Sequence, residues 1–398
     1  MKLIHKSYKF RIYPNDEQKV LLDKHFGSCR FVFNHYLNIR KNSYIENKKS
    51  LNYYDNANDL TKLKKDEQFI WLNEINSQSL QSTLRNLDAA YNRFFRKQNK
   101  FPVFKSKYDK QSFKVPQFTK IKDNKIHFPK FNDGIIINIH RKIEGMILFC
   151  NISKSITDKY YASITCEVEY KSLEKTGSHV GIDTGIKSIA VLSDGTVYEN
   201  IKVLKSKLKK LKYEQRQLSK KQKGSSSRNK QKKKIAVIHE KITNTRMDYL
   251  HKISTDIVKN HDIISVENLA VKDIMNNHNL AQSMSDVGLG ILYSMLEYKS
   301  GWNDRSYVKI DRYFPSSKMC SYCGWVNQNL ALNDREWFCI KCGTHHNRDH
   351  NAAINIDVQG LNLLSGCGMQ SDIKQKQVEA SSSDESMKLD NTNFLIHL

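Results

Sequence analysis

The sequence predicts an α/β chain of several domains, and three features carry that reading. Short apolar strands separated by Gly, Asn and Asp turns fill residues 100–175 and return in HVGIDTGIKSIAVLSDGTVYEN. Apolar residues at three- and four-residue steps run through residues 15–99, as in QKVLLDKHFGSCRFVFNHYLNIRK and INSQSLQSTLRNLDAAYNRFFRK, which is helical spacing. Two CxxC knuckles, Cys320/Cys323 and Cys339/Cys342, stand fifteen residues apart, a spacing that sets four thiolates around one metal. At 398 residues the chain has room for two to four ordinary domains.

Charge points to the partner class. Lys and Arg outnumber Asp and Glu 65 to 41, for a formal charge of +24, so a polyanion is expected, nucleic acid before membrane. No run approaches the ~18 apolar residues of a membrane span. MKLIHKSYKF enters strand-like alternation directly, without a signal-peptide core. Four cysteines in a metal pattern and four scattered ones (Cys29, Cys150, Cys166, Cys367) fit a reducing interior, so a cytoplasmic, DNA-associated protein is expected.

Taken in order, YKFRIYP alternates as a strand until Pro14, and helices follow over residues 15–99. Aromatics and cations interleave there; Phe31, Phe94 and Phe95 read as core. Gln78 and Gln81 share a helix face, either as readers of adenine or as ordinary polar surface. The strands of 100–175 form a small barrel or an open sheet whose basic residues face phosphates or solvent.

In the following segment Asp183 sits within the first strand of a hairpin meander whose turn is Asp194-Gly195. Ribonuclease-H-like nucleases place a carboxylate this way. A carboxylate on an apolar strand is costly unless a cation compensates it, although a turn aspartate would read the same. Residues 201–260 form a basic helical pair with a hinge at GSSSRN: 18 Lys or Arg against three acids between 202 and 252, which favours a phosphate backbone alongside over a solvated hairpin. The strand HDIISVENLA ends in Glu267; NLAQSMSDVGLGILYSMLEYKSGWNDR reads as one helix and SYVKIDRYFPSS as a strand ending near Phe314. Asp349 opens a helix seven residues after Cys342. Two strand carboxylates and one helix carboxylate can converge on two divalent ions, Mg²⁺ or Mn²⁺, which activate water and stabilise the leaving oxygen of a phosphodiester. The cysteine quartet is expected to hold a structural Zn²⁺, since four thiolates leave no open coordination position.

GIDTGIKSIAVLSDG, VENL, LEYK, YFPSSKMCSYCG and CIKCGTHHNRDHNAAINI, with RIYPNDEQ, GSCRFVFNHYL and LQSTLRNLDAAYNRFFR upstream, together resemble the TnpB family, the OrfB-type insertion-sequence proteins similar to compact type V CRISPR effectors. The likeness covers roughly residues 3 to 357 in order. It implies a split RNase H-like (RuvC) nuclease domain over 176–317 and 346–365, with the basic pair 201–260 within it and a zinc ribbon inserted at 318–345. It also implies a helical recognition domain over 15–99 and a β-barrel wedge domain from 1–14 and 100–175, leaving 366–398 as a polar tail expected to be disordered. The implied activity is metal-dependent cleavage of DNA beside a short flanking motif, guided by an RNA from the transposon end. The implied partners are that RNA, double-stranded target DNA and its displaced single strand.

The family's acidic triad falls on Asp183, Glu267 and Asp349, and Arg348 matches its basic residue, suited to a scissile phosphate or a structural pairing. Tyr53, Gln78, Gln81 and Arg85 are the expected readers of the flanking motif. Ser321-Tyr322 replace the usual proline of the first knuckle, and Gly288 and Leu289 stand where the family carries aromatics. Two further readings stay open: a transposase acting directly on element ends, and an RNA-guided DNA-binding repressor that does not cleave.

Overall fold

The structure, a computed structural model, describes residues 2–269, 278–331 and 333–366; Cys367 and the tail expected to be disordered beyond residue 366 lie outside the described residues. The chain divides into two compact units, Leu3–Glu169 and the part from Tyr170 onward. Among the described residues no helix is long and apolar enough to cross a membrane.

In the first unit, strand β1 (Lys2–Tyr13) is followed by helices α1 (Asp16–Asn47), α2 (Tyr53–Leu63) and α3 (Ser77–Phe95), with a 3₁₀ turn over Glu67–Glu74. Asn15 and Asn52 close capping boxes at the starts of α1 and α2, and Asn76 caps α3, so each helix begins where a side-chain acceptor meets its free N–H groups. Six further strands follow: β2 (Gln111–Val115), β3 (Lys120–Lys122), β4 (Lys125–Phe128), β5 (Phe131–Asn138), β6 (Met146–Lys154) and β7 (Tyr160–Tyr170). They join β1 in a seven-stranded sheet ordered β2-β6-β7-β1-β5-β4-β3. Tyr8, Phe10 and Ile12 alternate inward from β1, as period-2 spacing requires, and Leu22, Tyr36, Leu80 and Leu84 bury the helix faces. Phe95, expected in the core, is 67% exposed: it ends α3, stacked on Tyr91 and tilted against Phe94. Phe31 is half-buried, ringed by His35, Phe69 and Trp71.

The second unit is built on a mixed five-stranded sheet, β8 (His179–Asp183), β9 (Ser188–Leu192), β10 (Val197–Glu199), β11 (Ile263–Glu267) and β12 (Ser306–Ile310), ordered β10-β9-β8-β11-β12. β8, β11 and β12 run parallel, and β8-β9-β10 is the antiparallel meander. Helices α4 (Val203–Ser219) and α5 (Ser226–Asn260) form the basic pair, held by Leu204, Leu211, Ile238 and Ile242. The segment expected as one helix is two, α6 (His278–Val287) and α7 (Leu289–Trp302). Gly288 separates them at φ +75°, a conformation in which glycine avoids the Cβ penalty, so the departure noted in the sequence is the hinge itself. The strand expected to run to near Phe314 stops at Ile310, where pairing with β11 ends at Glu267.

Side chains of β8 and β11 alternate between two faces. Val180, Ile182, Ile264 and Val266 meet Leu250, Ile253 and Ile257 of α5 and Leu292, Met295 and Leu296 of α7 in one apolar core. Lys299 of the LEYK segment staples these helices, donating to His251 O, Ser254 Oγ and Thr255 Oγ1, and burial pulls its ammonium down to about 8. The opposite face is covered by α8 (Arg348–Leu364).

Candidate nuclease site and cysteine cluster

Asp183 is the last residue of β8 rather than a mid-strand position, and Glu267 is the last of β11. The parallel register pairs Ile182 with Val266, so the next positions, Asp183 and Glu267, stand side by side on neighbouring strands and share a face. That face is the one that Gly181 presents to α8. A Cβ on Gly181 would lie 2.1 Å from Ala353 O and 2.4 Å from Asp357 N, and one on Gly360 would lie 1.9 Å from Ser265 Oγ. The two glycines therefore let α8 lie directly on β8 and β11. Asn347 caps α8, and Asp349 occupies its first turn, where the helix dipole favours a negative charge.

Electrostatically, Asp183 is coupled to both of the other acids. Burial pushes the Asp183 carboxyl up to about 7, and the charges of Asp349 and Glu267 add to the rise, against a smaller opposing pull from Arg348. Burial raises Glu267 as well. Tyr293 of α7 reaches the same place: its hydroxyl shares a 2.6 Å hydrogen bond with Thr184 Oγ1, and burial, with the nearby Glu267 and Asp183, holds the phenol well above its ordinary value. Arg348 offsets this acidity only in part, and a divalent cation among these oxygens would compensate the rest. Among the described residues, Arg335 also compensates Asp349 through an ion pair of 3.3 Å. Nothing in the sequence distinguished Arg335 or Tyr293 from the surrounding polar and aromatic residues.

Next to α8, β13 (Glu336–Phe338) and β14 (His345–Asn347) form a two-stranded ladder. Among the described residues, the ligand atoms of Cys320, Cys323, Cys339 and Cys342 all lie within 4.8 Å of one another. The three acids are not packed that tightly. Each knuckle turns back on itself, Gly324 N donating to Cys320 O (2.9 Å) and Gly343 N to Cys339 O (2.8 Å), with both glycines at φ +74°. Four convergent thiols around a common centre suit a tetrahedral soft-ligand metal and leave no open position. The ribbon is fastened to α8. Asn351 donates to Met319 O (2.7 Å), Asn355 donates to Ser316 O (2.8 Å) and Met319 O (2.6 Å), and Ser321 N donates to Asn351 Oδ1 (2.9 Å). Arg348 donates to Ala331 O at 2.7 Å and to Asp334 O at 3.4 Å, so it braces the ribbon while its charge also reaches Asp183.

In the first unit, Gln78, Gln81 and Arg85 follow one another along one face of α3. The Arg85 guanidinium lies over the Tyr53 ring of α2 at 5.1 Å. Gln78 Nε2 donates to Gln117 Oε1 (3.0 Å), whereas Gln81 and Arg85 are exposed.

Sheet, carboxylates and ribbon define an α/β protein with a group of acids at the strand ends and, apart from it, a four-cysteine cluster that could hold a metal ion. Family comparison agrees in three places: a profile described as "Probable transposase" of the OrfB type matches residues 163–278, a Cas12f1-like TNB domain matches 290–356, and a helix-turn-helix domain matches 1–49. The chain belongs to the TnpB (OrfB) family. It is 37% identical over 374 residues to a Streptomyces pristinaespiralis protein named as an RNA-guided DNA endonuclease, covering 92% of each chain. It is 33% identical over 380 residues to InsQ of Escherichia coli K12, named in the same way, covering 91% of this chain and 94% of that one. Its fold is similar to that of Cas12f1 in a complex with guide RNA and target DNA, with a TM-score of 0.54 at 15% identity, over 89% of this chain and 99% of that one.

Proposed function

We propose that this protein is an RNA-guided DNA endonuclease of the TnpB type, with its nuclease centre at Asp183, Glu267 and Asp349. The observation that carries the reading is the convergence of these three carboxylates at one end of β8, β11 and α8, where burial and mutual repulsion call for cations. On this reading the second unit is a split RNase H-like (RuvC) domain with a zinc ribbon inserted before its last helix. Mg²⁺ or Mn²⁺ held by the three acids would activate water and stabilise the leaving oxygen of the scissile phosphodiester.

The chain's own residues do the positioning. Asp183 and Glu267 are fixed by the strand register, and Asp349 by the glycine-permitted docking of α8. Arg348 and the ribbon, tied by Asn351 and Asn355, set the angle of that helix, and a structural Zn²⁺ in the four thiols would keep the ribbon folded. Arg335, exposed beside Asp349, is placed to meet a phosphate oxygen once cations compensate the acid.

Guide RNA and target DNA are the partners that this reading assigns. The basic pair α4–α5, with exposed Lys205, Lys207, Lys209, Lys210 and Lys212 along one arm, offers a sequence-independent phosphate contact. Base pairing with the RNA supplies most of the sequence choice. Tyr53, Gln78, Gln81 and Arg85, on facing helices, are assigned to reading a short flanking motif. A cytoplasmic place at the DNA accords with free cysteines at positions 29, 150 and 166.

The test is to purify the protein with its native locus, sequence the RNA that accompanies it, and assay matching DNA with Mg²⁺ or EDTA. Bound RNA from the element end and Mg²⁺-dependent cutting are expected. Strand joining without RNA would favour the transposase reading, and RNA-dependent binding without cutting the repressor.

A further inference from the structure

Asp183 ends β8 on the face toward α8, and the next residue, Thr184, turns to the opposite side, where α7 lies. There Thr184 Oγ1 shares a 2.6 Å hydrogen bond with the Tyr293 hydroxyl. The backbone N–H of Thr184 donates to the Asp183 carboxylate. One residue thus joins the acid on one side to the tyrosine on the other.

The helix that carries Tyr293 puts it there. Gly288 breaks the helical run just before α7, and Leu292 and Leu296 seat α7 in the apolar core under β8 and β11. Tyr293, one residue past Leu292 and three before Leu296, borders that apolar face and is half-buried. Its ring packs on the core, and its hydroxyl needs a partner, which Thr184 provides. The charges of Glu267 and Asp183 both act on its phenol, so the tyrosine lies close to two of the three acids.

Packing alone does not call for this pair. A phenylalanine against a valine would fill the same space without two hydroxyls to desolvate, and such an exchange is close to neutral for stability. What the hydroxyl pair adds is a fixed position for Thr184, and with it for the amide that meets Asp183.

We propose that Tyr293 is a positioning residue of the nuclease centre: through Thr184 it holds that amide on Asp183 and so fixes the carboxylate for a divalent cation. This role rests on the nuclease reading above and adds to that centre a residue outside its acids. Groups that orient a metal-binding side chain from outside are worth about 10- to 100-fold in metal affinity or activity.

The test follows Mn²⁺ binding to the full-length RNA-bound protein by electron paramagnetic resonance. The difference between the native protein and Asp183→Ala gives the cations held at the acids. Tyr293→Phe, which keeps the ring, should weaken that binding about 10-fold and leave the affinity for target DNA unchanged. Thr184→Val should do the same, whereas Thr184→Ser should keep native binding. The double variant Tyr293→Phe/Thr184→Val should bind no more weakly than either single one, because the two hydroxyls act as one unit. Cleavage by Tyr293→Phe should be slow at limiting Mn²⁺ and return to the native rate at saturating Mn²⁺, a rescue that a merely structural tyrosine would not show. Native Mn²⁺ affinity in Tyr293→Phe overturns the proposal, as does slow cleavage that saturating Mn²⁺ leaves in place. Losses that multiply in the double variant overturn the coupling through Thr184. A native protein that binds no more Mn²⁺ than Asp183→Ala overturns the nuclease centre itself, and the role of Tyr293 with it.

Discussion

The Arg335 guanidinium lies 3.3 Å from the carboxylate of Asp349, joining the ribbon hairpin to the helix that carries the third acid. This cation stands just before β13 with its side chain about half exposed, and on the proposed reading it would compete with a divalent ion for the same oxygens. Replacing Arg335 by Gln should tighten divalent binding by about 5-fold, the scale of a part-exposed ion pair worth up to about 1 kcal/mol. Terbium luminescence or Mn²⁺ titration of the protein would show it. Unchanged or weaker binding would mean that the pair does not compete.

The raised Asp183 carboxyl has a consequence for metal-free stability. Its folded value of about 7 lies above its ordinary value of 3.8, so the fold binds this proton more tightly than the unfolded chain does. Stability from this group is complete below the ordinary carboxylate range and is lost as pH rises to about 7. In EDTA at pH 8, Asp183→Asn should melt several degrees above the native protein, and the gap should close by pH 4. A gap independent of pH would contradict burial and carboxylate repulsion as its cause.

Gly181 holds the contact between β8 and α8. A Cβ there meets backbone at 2.1 Å, which no side-chain rotation relieves. Gly181→Ala should cost about 1–3 kcal/mol by overpacking and should reduce cleavage more than binding, because it displaces Asp349 from Asp183. Denaturant titration and a cleavage assay on the same preparation separate the two effects.

The cysteine cluster should behave as a structural metal site. One zinc per chain is expected by elemental analysis, and Cys339→Ser should lower it. The loss should loosen residues 316–321, whose carbonyls Asn351 and Asn355 hold, and cleavage should fall although all three acids remain. Hydrogen exchange over this segment gives the readout. Full activity without zinc would sever the ribbon from the nuclease centre.

Much of this was legible in the residues. Glu267 at a strand end and Asp349 at a helix start follow from apolar periodicity and an Asn cap, and the two CxxC knuckles need only their spacing. Their convergence was not legible from spacing alone, because it depends on strand register and on the docking of α8. Gly181, two residues before Asp183 and so on its face, was the available sign of that close approach. The break at Gly288 had a signal in Gly-Leu-Gly within a helical pattern. Phe95 misled because helical spacing continues to the last turn, where the neighbouring elements no longer cover it. Arg335 and Tyr293 had no local signal: one lies on a short hairpin and the other on an apolar helix, and only the tertiary fold brings them to the acids.

The most direct measurement is cleavage of a matching DNA target by the RNA-bound protein in Mg²⁺, run beside Asp183→Ala and beside EDTA. RNA-dependent cutting is expected, abolished by EDTA and lowered by Asp183→Ala about 100-fold or more, the scale of removing one group from a preorganised charged site. RNA-dependent cutting that survives Asp183→Ala undiminished would contradict a nuclease centre at these three acids.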